Sequence, residues 1–132
     1  MIALNKNDEW MRRIVIVYEG DEELRDQLQE EFEEFGLSSH LLDDEAELFE
    51  LECIGHEPEF FLLSIPGVRL RLTAIRDLRR SYPNIKLVLI AKDCNDQFVD
   101  LCLGLGVNAV ISKFEDPEMI VWLTVLATAD SK

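Results

Sequence analysis

The fold is decided by residues 81–120, which read SYPNIKLVLIAKDCNDQFVDLCLGLGVNAVISKFEDPEMI. This stretch contains two short strand-like segments, 86–90, which is apolar after Lys86, and 109–111, which is apolar throughout. Each is followed by residues whose apolar members recur at helical spacing. An uninterrupted apolar run is typical of a strand that is buried on both faces of a parallel sheet. Gly106 predicts the end of the first helix, and Asp116 with Pro117 predicts the start of the second. The stretch therefore predicts two consecutive strand–helix units.

The same alternation runs through the rest of the chain. Further strands are predicted at 14–17, 37–42 and 59–63. A first helix is predicted before Gly36, a second from the capping box of Asp44 and Glu47 to residue 54, and a third ending before Pro83. Five strand–helix units in strict alternation predict an α/β fold, a doubly wound (βα)5 domain with a parallel five-stranded sheet between two layers of helices.

The length of 132 residues fits a single domain. We divide the chain into an N-terminal extension, residues 1–11, and one domain, residues 12–132. The sequence shows neither a signal peptide nor an apolar run of the roughly 18 residues that a bilayer span requires, so we expect a cytoplasmic protein.

Charge is distributed unevenly. The formal net charge is −14, and residues 19–59 contain seventeen acids against the single base Arg25. Residues 68–81 reverse the balance, with five arginines against Asp77. A domain this acidic repels phosphate backbones, so we expect no nucleic-acid partner. The two clusters are either solvated helix faces or an acidic and a basic docking surface.

Cysteine and histidine give no pattern typical of a metal or catalytic site. Cys53, Cys94 and Cys102 form no CxxC pair, and we expect reduced thiols with Cys53 and Cys102 in or near the core. His40 and His56 lack the neighbours that catalysis requires, and we expect both at the surface.

Residues 13–127 resemble the receiver (CheY-like) domains of response regulators. The resemblance is carried by PEFFLLSIPG at 58–67, SYPNIKLVLIAK at 81–92 and GVNAVISKFEDPEMI at 106–120. It implies a flavodoxin/CheY-like topology with strand order 2-1-3-4-5 and a site at the carboxyl ends of the strands.

The resemblance also implies a chemistry that this chain has largely lost. In the family, two acids after the first strand bind Mg²⁺, an aspartate at the third strand accepts a phosphoryl group, and a hydroxyl, an aromatic and a lysine complete the site. Here the acid pair falls on Tyr18 and Glu19, with Asp21 following, and the acceptor position is Ser64. The remaining three positions are Ala91 for the hydroxyl, Val110 for the aromatic and Lys113 for the lysine, which Phe114 follows where the family usually has proline.

We therefore expect a degenerate pseudo-receiver, a signalling module that binds protein and is not an enzyme. A serine cannot form an acyl phosphate, and Ala91 has no hydroxyl to offer. We expect an ion pair between Lys113 and Glu19 or Asp21, and no metal or cofactor, since two carboxylates without a third ligand make a weak Mg²⁺ site. Two interpretations stay open for this site: weak cation binding by Glu19 and Asp21, and phosphorylation of the Ser64 hydroxyl by a kinase.

Two further functional hypotheses compete with this one. The chain could be a response regulator in a phosphorelay that is phosphorylated at a displaced acceptor such as Asp21. It could instead be a small flavodoxin-like enzyme or ligand binder. Against this, the three acids of residues 18–22 would repel a phosphate, and Gly104-Leu105-Gly106 lies at a helix end rather than after the first strand.

The partner is expected to be a signalling protein or a second copy of the chain, with no membrane contact. In the family, the face of the fourth helix, fifth strand and fifth helix often makes dimer or output contacts. On this chain the candidate surface residues are Phe98, Leu101, Phe114, Trp122, Arg76, Arg79 and Arg80. Trp122 would be an anchor if exposed, and its neighbours Val121 and Leu123 are equally compatible with a core position.

Overall fold

The computed structural model describes residues 14–19, 21–42, 60–65, 72–92 and 94–129. The strands are β1 (Ile14–Tyr18), β2 (Ser38–Leu42), β3 (Phe60–Ile65), β4 (Lys86–Ala91) and β5 (Ala109–Ser112). The helices of the described ranges are α1 (Glu22–Glu34), α2 (Leu72–Ser81), α3 (Asp96–Gly104) and α4 (Pro117–Ala129). These are the first, third, fourth and fifth predicted helices. The second predicted helix, the N-terminal extension, Cys53 and His56 lie outside the described residues.

The five strands form one parallel sheet of order β2-β1-β3-β4-β5, which confirms the predicted topology. The inner strands β1, β3 and β4 are largely apolar because both sheet faces are covered, whereas the edge strand β2 begins with the polar run Ser38-Ser39-His40. Phe60 and Leu62 point into a core cluster with residues of α1 and α4, whereas Phe61 and Leu63 point into a second cluster with residues of α2 and α3. The sheet therefore has α1 and α4 on one side and α2 and α3 on the other.

The helix ends follow from local chemistry. The Asp21 carboxylate accepts hydrogen bonds from the backbone amides of Glu23 and Leu24 and so caps α1, and Asn95 caps α3 by accepting from the amide of Phe98. Gly36 and Gly106 follow α1 and α3 with positive φ angles of 79° and 101°. Glycine adopts this conformation without a Cβ clash, which explains why both predicted stops are correct.

The cysteines and histidine that the structure describes agree with expectation. Cys102 is fully buried, and the half-buried Cys94 donates from its thiol to the carbonyl of Ala91 at 3.5 Å. Burial raises the pKa of the Cys102 thiol, and the neighbouring Cys94 raises it further. His40 is exposed on β2, an edge strand. No helix in the described ranges has the length and apolar character that crossing a bilayer requires.

Candidate functional site

The carboxyl ends of four neighbouring strands bring the predicted site residues to one edge of the sheet. Glu19 follows β1, Ser64 pairs with Ile90 near the end of β3, and Lys113 follows β5. Ala91 is the last residue of β4, and its carbonyl accepts a hydrogen bond from the amide of Lys113. Parallel strands end side by side, so residues far apart in sequence meet at this edge.

A salt bridge crosses this edge. The Lys113 Nζ donates to Oε2 of Glu19 at 3.0 Å, which confirms the expected ion pair. β1 and β5 are separated by β3 and β4, roughly 14 Å at the usual strand spacing, so both long side chains must extend to meet. The Glu19 side chain is only 1% exposed and that of Lys113 is 21% exposed. The pair therefore lies largely under the surface, across the ends of the two middle strands.

The same carboxylate oxygen of Glu19 orders the turn into α1. Its Oε2 also accepts a hydrogen bond of 2.8 Å from the amide of Asp21. The Asp21 carboxylate in turn caps α1, a role that the sequence interpretation missed although an aspartate before an amphipathic stretch is its usual signal. The two acids considered as metal ligands thus have structural partners, one in Lys113 and the other in the first turn of α1.

The remaining ligand capacity of the site is small. Glu19 Oε1 is buried and has no hydrogen-bond partner among the described residues. Within those ranges, no three side chains of the acid, histidine or cysteine type lie close enough together to hold a metal ion. The positive charge nearest to Glu19 is the ammonium group of Lys113, which neutralises the carboxylate that a cation would need.

The other degenerate positions are occupied by apolar or uncharged groups. Ser64 is buried, with 7% of its surface exposed, and the methyl group of Ala91 is buried beside the core. Tyr18 and Val110 are half-buried and pack against the cluster under α2 and α3. A hydroxyl, a methyl and a branched alkyl group cannot together bind a metal ion or form an acyl phosphate.

The structure separates the candidate surface residues into exposed and structural groups. Phe114 and Trp122 are 77% and 47% exposed, and Leu101, Arg76 and Arg80 are also exposed. Phe98 is half-buried and packs on the core, so it contributes less surface than its prediction as a contact residue assumed.

Arg79 is a correction to the expected basic surface. Its guanidinium donates to the carbonyls of Tyr82, Ile85 and Gly106, at 3.1, 2.6 and 2.7 Å. It also donates to the carbonyl of Pro83 and to Asn108. Partial burial lowers the pKa of Arg79, yet an arginine stays protonated under such conditions. Arg79 therefore holds the turn after α2 against the turn after α3 and is not free for a partner.

The sequence interpretation did not single out a second surface, formed where α1 and α4 lie side by side. There the ring of Phe35, after α1, stacks on Trp122 of α4 with ring centroids 5.7 Å apart. The available signal was the absence of any charged residue in α4 after Glu118.

Solved structures with the same arrangement are response regulators. A response regulator from Thermotoga maritima matches with a TM-score of 0.77 and 14% identity, over 89% of this chain and 98% of its own. An orphan response regulator of H. pylori matches with a TM-score of 0.76 and 11% identity, over 88% and 96%. A receiver domain protein (CheY-like) from Methanospirillum hungatei JF-1 matches with a TM-score of 0.74 and 14% identity, over 89% and 94%.

No protein-family model matches the sequence, and no curated protein matches it. At identities of 11–14%, the structural likeness establishes the fold alone. What the site does must therefore be argued from its own residues.

Proposed function

We propose that this chain, which has the fold of response-regulator receiver domains, is a phosphorylation-independent signalling module that acts by binding another protein. The observation that carries the proposal is the salt bridge between Lys113 and Glu19, at the strand ends where a buried serine occupies the acceptor position. The chain is then a pseudo-receiver, keeping the scaffold of a receiver domain without its reaction.

The acceptor position supports this proposal first. Phosphoryl transfer to a receiver domain needs a carboxylate nucleophile, and Ser64 offers a buried neutral hydroxyl. A serine hydroxyl is a weak nucleophile unless a base activates it. The carboxylate that crosses this edge, Glu19, is already paired with the ammonium group of Lys113.

Lys113 supports the proposal second. In the family, this lysine neutralises the charge of the phosphoryl group. Here its Nζ is 3.0 Å from Glu19 Oε2, so the charge is already balanced inside the chain. An incoming phosphoryl group would have to break this pair and leave the buried Glu19 carboxylate uncompensated, which is costly.

The readout positions support the proposal third. In receiver domains, a hydroxyl after the fourth strand and an aromatic in the fifth strand move together on phosphorylation. Ala91 has no hydroxyl, and Val110 packs against the core as an alkyl group. A change at Ser64 would therefore meet no group of this kind to transmit it.

Asp21 supports a second candidate function, a response regulator with a displaced acceptor. Asp21 is exposed, and its amide bonds to Glu19 at the strand-end edge. Its Oδ1 accepts hydrogen bonds from the amides of Glu23 and Leu24, so phosphorylation of Asp21 would disrupt the hydrogen bonds that cap α1. We favour the first function because this cap and the salt bridge both stabilise the unmodified state.

The proposed partner is a signalling protein. The net charge of −14 opposes direct contact with nucleic acid, although one neighbour in fold is described as a LuxR family DNA-binding response regulator from Silicibacter pomeroyi. The predicted cytoplasmic location stays a prediction.

The test is intact mass after incubation with Mg²⁺ and acetyl phosphate. We expect no species heavier by one phosphoryl group, while a phosphorylatable receiver domain in a parallel reaction gains it. The matched variants are Ser64→Ala and Asp21→Asn.

Two outcomes would overturn the proposal. An acid-stable gain that disappears in Ser64→Ala would identify the serine hydroxyl as an acceptor. An acid-labile gain that disappears in Asp21→Asn would identify an acyl phosphate and establish the displaced acceptor.

A further inference from the structure

The outer face of α4 is apolar and open to solvent. After Glu118 the helix reads MIVWLTVLATA, without a charged residue. Ile120, Val121 and Thr124 are buried, and the opposite stripe of Met119, Trp122 and Leu126 is exposed, Leu126 to 55%. A helix that is apolar all round is ordinarily covered on all sides. Here one side has no cover among the residues that the structure describes.

α1 extends this stripe into a patch. Phe35, the residue after α1, is exposed, and its ring stacks on that of Trp122 at an interplanar angle of 28°. We call Phe35, Met119, Trp122 and Leu126 the α1–α4 patch. Stacked aromatic rings present a large contact area with few rotatable bonds, the property that makes such residues anchors of binding interfaces.

Acids flank the patch on both of its helices. Glu31 and Glu34 lie at the end of α1, and Glu118 lies at the start of α4. Glu34 is next to Phe35 in the chain and Glu118 is next to Met119, so these acids border the patch. Removal from water raises the pKa of Glu31, and the carboxylates of Glu34, Glu118 and Glu30 raise it further. The last turns of α1 and α4 contain no basic residue.

This charge pattern selects the occupant. A symmetric contact with a second copy would place the same patch on itself and bring the same acids face to face. The exposed Arg76 and Arg80 of α2 could meet the acids head-to-tail, but the apolar residues beside them, Ile75 and Leu78, are buried and cannot cover the patch. An anionic membrane surface would be repelled by the acids.

We propose that the α1–α4 patch binds a segment of another protein that presents apolar side chains at helical spacing, flanked by lysine or arginine. The apolar side chains would cover Trp122 and Leu126, and the bases would pair with Glu31, Glu34 and Glu118. The inference rests on one part of the proposed function, namely that the chain acts by binding another protein. The surface lies on helices and not at the strand-end site.

The test is fluorescence anisotropy of a labelled amphipathic peptide, with leucines at i, i+3, i+4 and i+7 and lysines between them, titrated with the full chain. We expect saturable one-to-one binding. Trp122→Ala and Leu126→Ala each weaken binding by about tenfold or more, as truncation of an interface anchor does. Leu103→Ala, equally exposed on α3, is the matched control and leaves the affinity unchanged.

Charge is tested separately. The double variant Glu31→Gln/Glu118→Gln weakens binding at low salt, and the difference shrinks as salt is added. A peptide in which serine replaces every leucine keeps the charge and is expected to bind at least tenfold more weakly, since it cannot cover the aromatic rings.

Four outcomes would overturn the inference. The first is equal affinity of wild type and Trp122→Ala, and the second is equal affinity of the serine peptide. The third is a concentration-dependent dimer in sedimentation that Trp122→Ala abolishes, which would make a second copy the occupant. The fourth is peptide binding that appears only after deletion of residues 1–13, which would make this chain's own segment the occupant. None of these experiments contains a phosphodonor, so their failure and that of the proposed function are distinguishable.

Discussion

Lys113 stabilises the fold through one contact with a carboxylate that has almost no access to water. Glu19 is 94 residues away in sequence, and its side chain is buried at the strand ends. Removing the ammonium group would leave a negative charge in a site that cannot solvate it. Removing one partner of this pair is therefore expected to cost more than removing one partner of an exposed salt bridge.

We expect Lys113→Met to lower the free energy of unfolding by about 1–3 kcal/mol, the cost of leaving a buried polar group without its partner. Urea denaturation of the single variants and of Glu19→Gln/Lys113→Met measures the coupling. The double variant is expected to be less destabilised than the sum of the singles, because Glu19→Gln removes the charge that Lys113→Met leaves unpaired. Strict additivity would show that the two side chains do not interact.

Arg79 is the second residue whose role is structural. Its planar guanidinium donates to several carbonyls of two turns at once, a geometry that lysine cannot reproduce. We expect Arg79→Lys to lower the free energy of unfolding by roughly 1.5–3 kcal/mol, the range for hydrogen bonds to a charged group.

The matched control is Arg76→Lys on the same helix. Arg76 is exposed, so this change is expected to stay within about 0.5 kcal/mol of wild type. Equal stability of the two variants in thermal or urea unfolding would show that the carbonyl contacts of Arg79 contribute nothing.

At the scale of the elements, two helices end in the same way but in different surroundings. Gly36 and Gly106 both have positive φ angles. A Cβ on Gly36 would meet no atom within 4 Å, whereas a Cβ on Gly106 would lie 3.0 Å from Nε of Arg79. We expect Gly36→Ala to cost about 1–2 kcal/mol from its backbone conformation alone. Gly106→Ala is expected to cost more, because it also displaces Arg79, and equal losses in unfolding experiments would contradict this.

The acids shared by α1 and α4 make stability depend on pH. The pKa of Glu31 is raised by removal from water and by Glu34, Glu118 and Glu30, so the folded chain binds a proton more tightly than the unfolded chain. Ionised Glu31 therefore opposes folding at neutral pH, and this opposition disappears as pH falls below its ordinary pKa. We expect Glu31→Gln to raise the unfolding temperature at pH 7 and to leave it unchanged at pH 3.5. A gain that persists at low pH would indicate another cause.

Elements with a simple pattern could be predicted from the sequence. Strands buried on both faces gave apolar runs, and the glycines after α1 and α3 marked the helix ends. The N-cap role of Asp21 could also have been predicted from the sequence, but Asp21 was considered there for cation binding and phosphorylation and not as a helix cap. Trp122 could not be placed, because α4 is apolar on every face and periodicity does not say which face meets the sheet. One contact of Arg79 reaches Gly106, which is 27 residues away, and no local pattern encodes such a contact.

At the scale of the whole molecule, the strand order brings the site residues together at one edge of the sheet, and the identities of those residues determine which chemistry the site can perform. The order β2-β1-β3-β4-β5 places Glu19 and Lys113 on either side of the ends of β3 and β4. The resemblance in sequence led to this order, and the structure confirms it. The function of the site residues does not follow from the fold. Structures that share this fold at 11–14% identity do not show whether the reaction is retained.

The most direct measurement is thermal unfolding with and without Mg²⁺ and beryllofluoride, a mimic of the phosphoryl group. A ligand that binds the folded chain raises its unfolding temperature in proportion to the logarithm of its concentration. We predict the same unfolding temperature in both conditions, because the Glu19–Lys113 pair and Ser64 offer no charged acceptor. A rise in wild type that grows with the mimic and is lost in Glu19→Gln would show that the site still takes a phosphoryl group, and phosphorylation independence would be wrong.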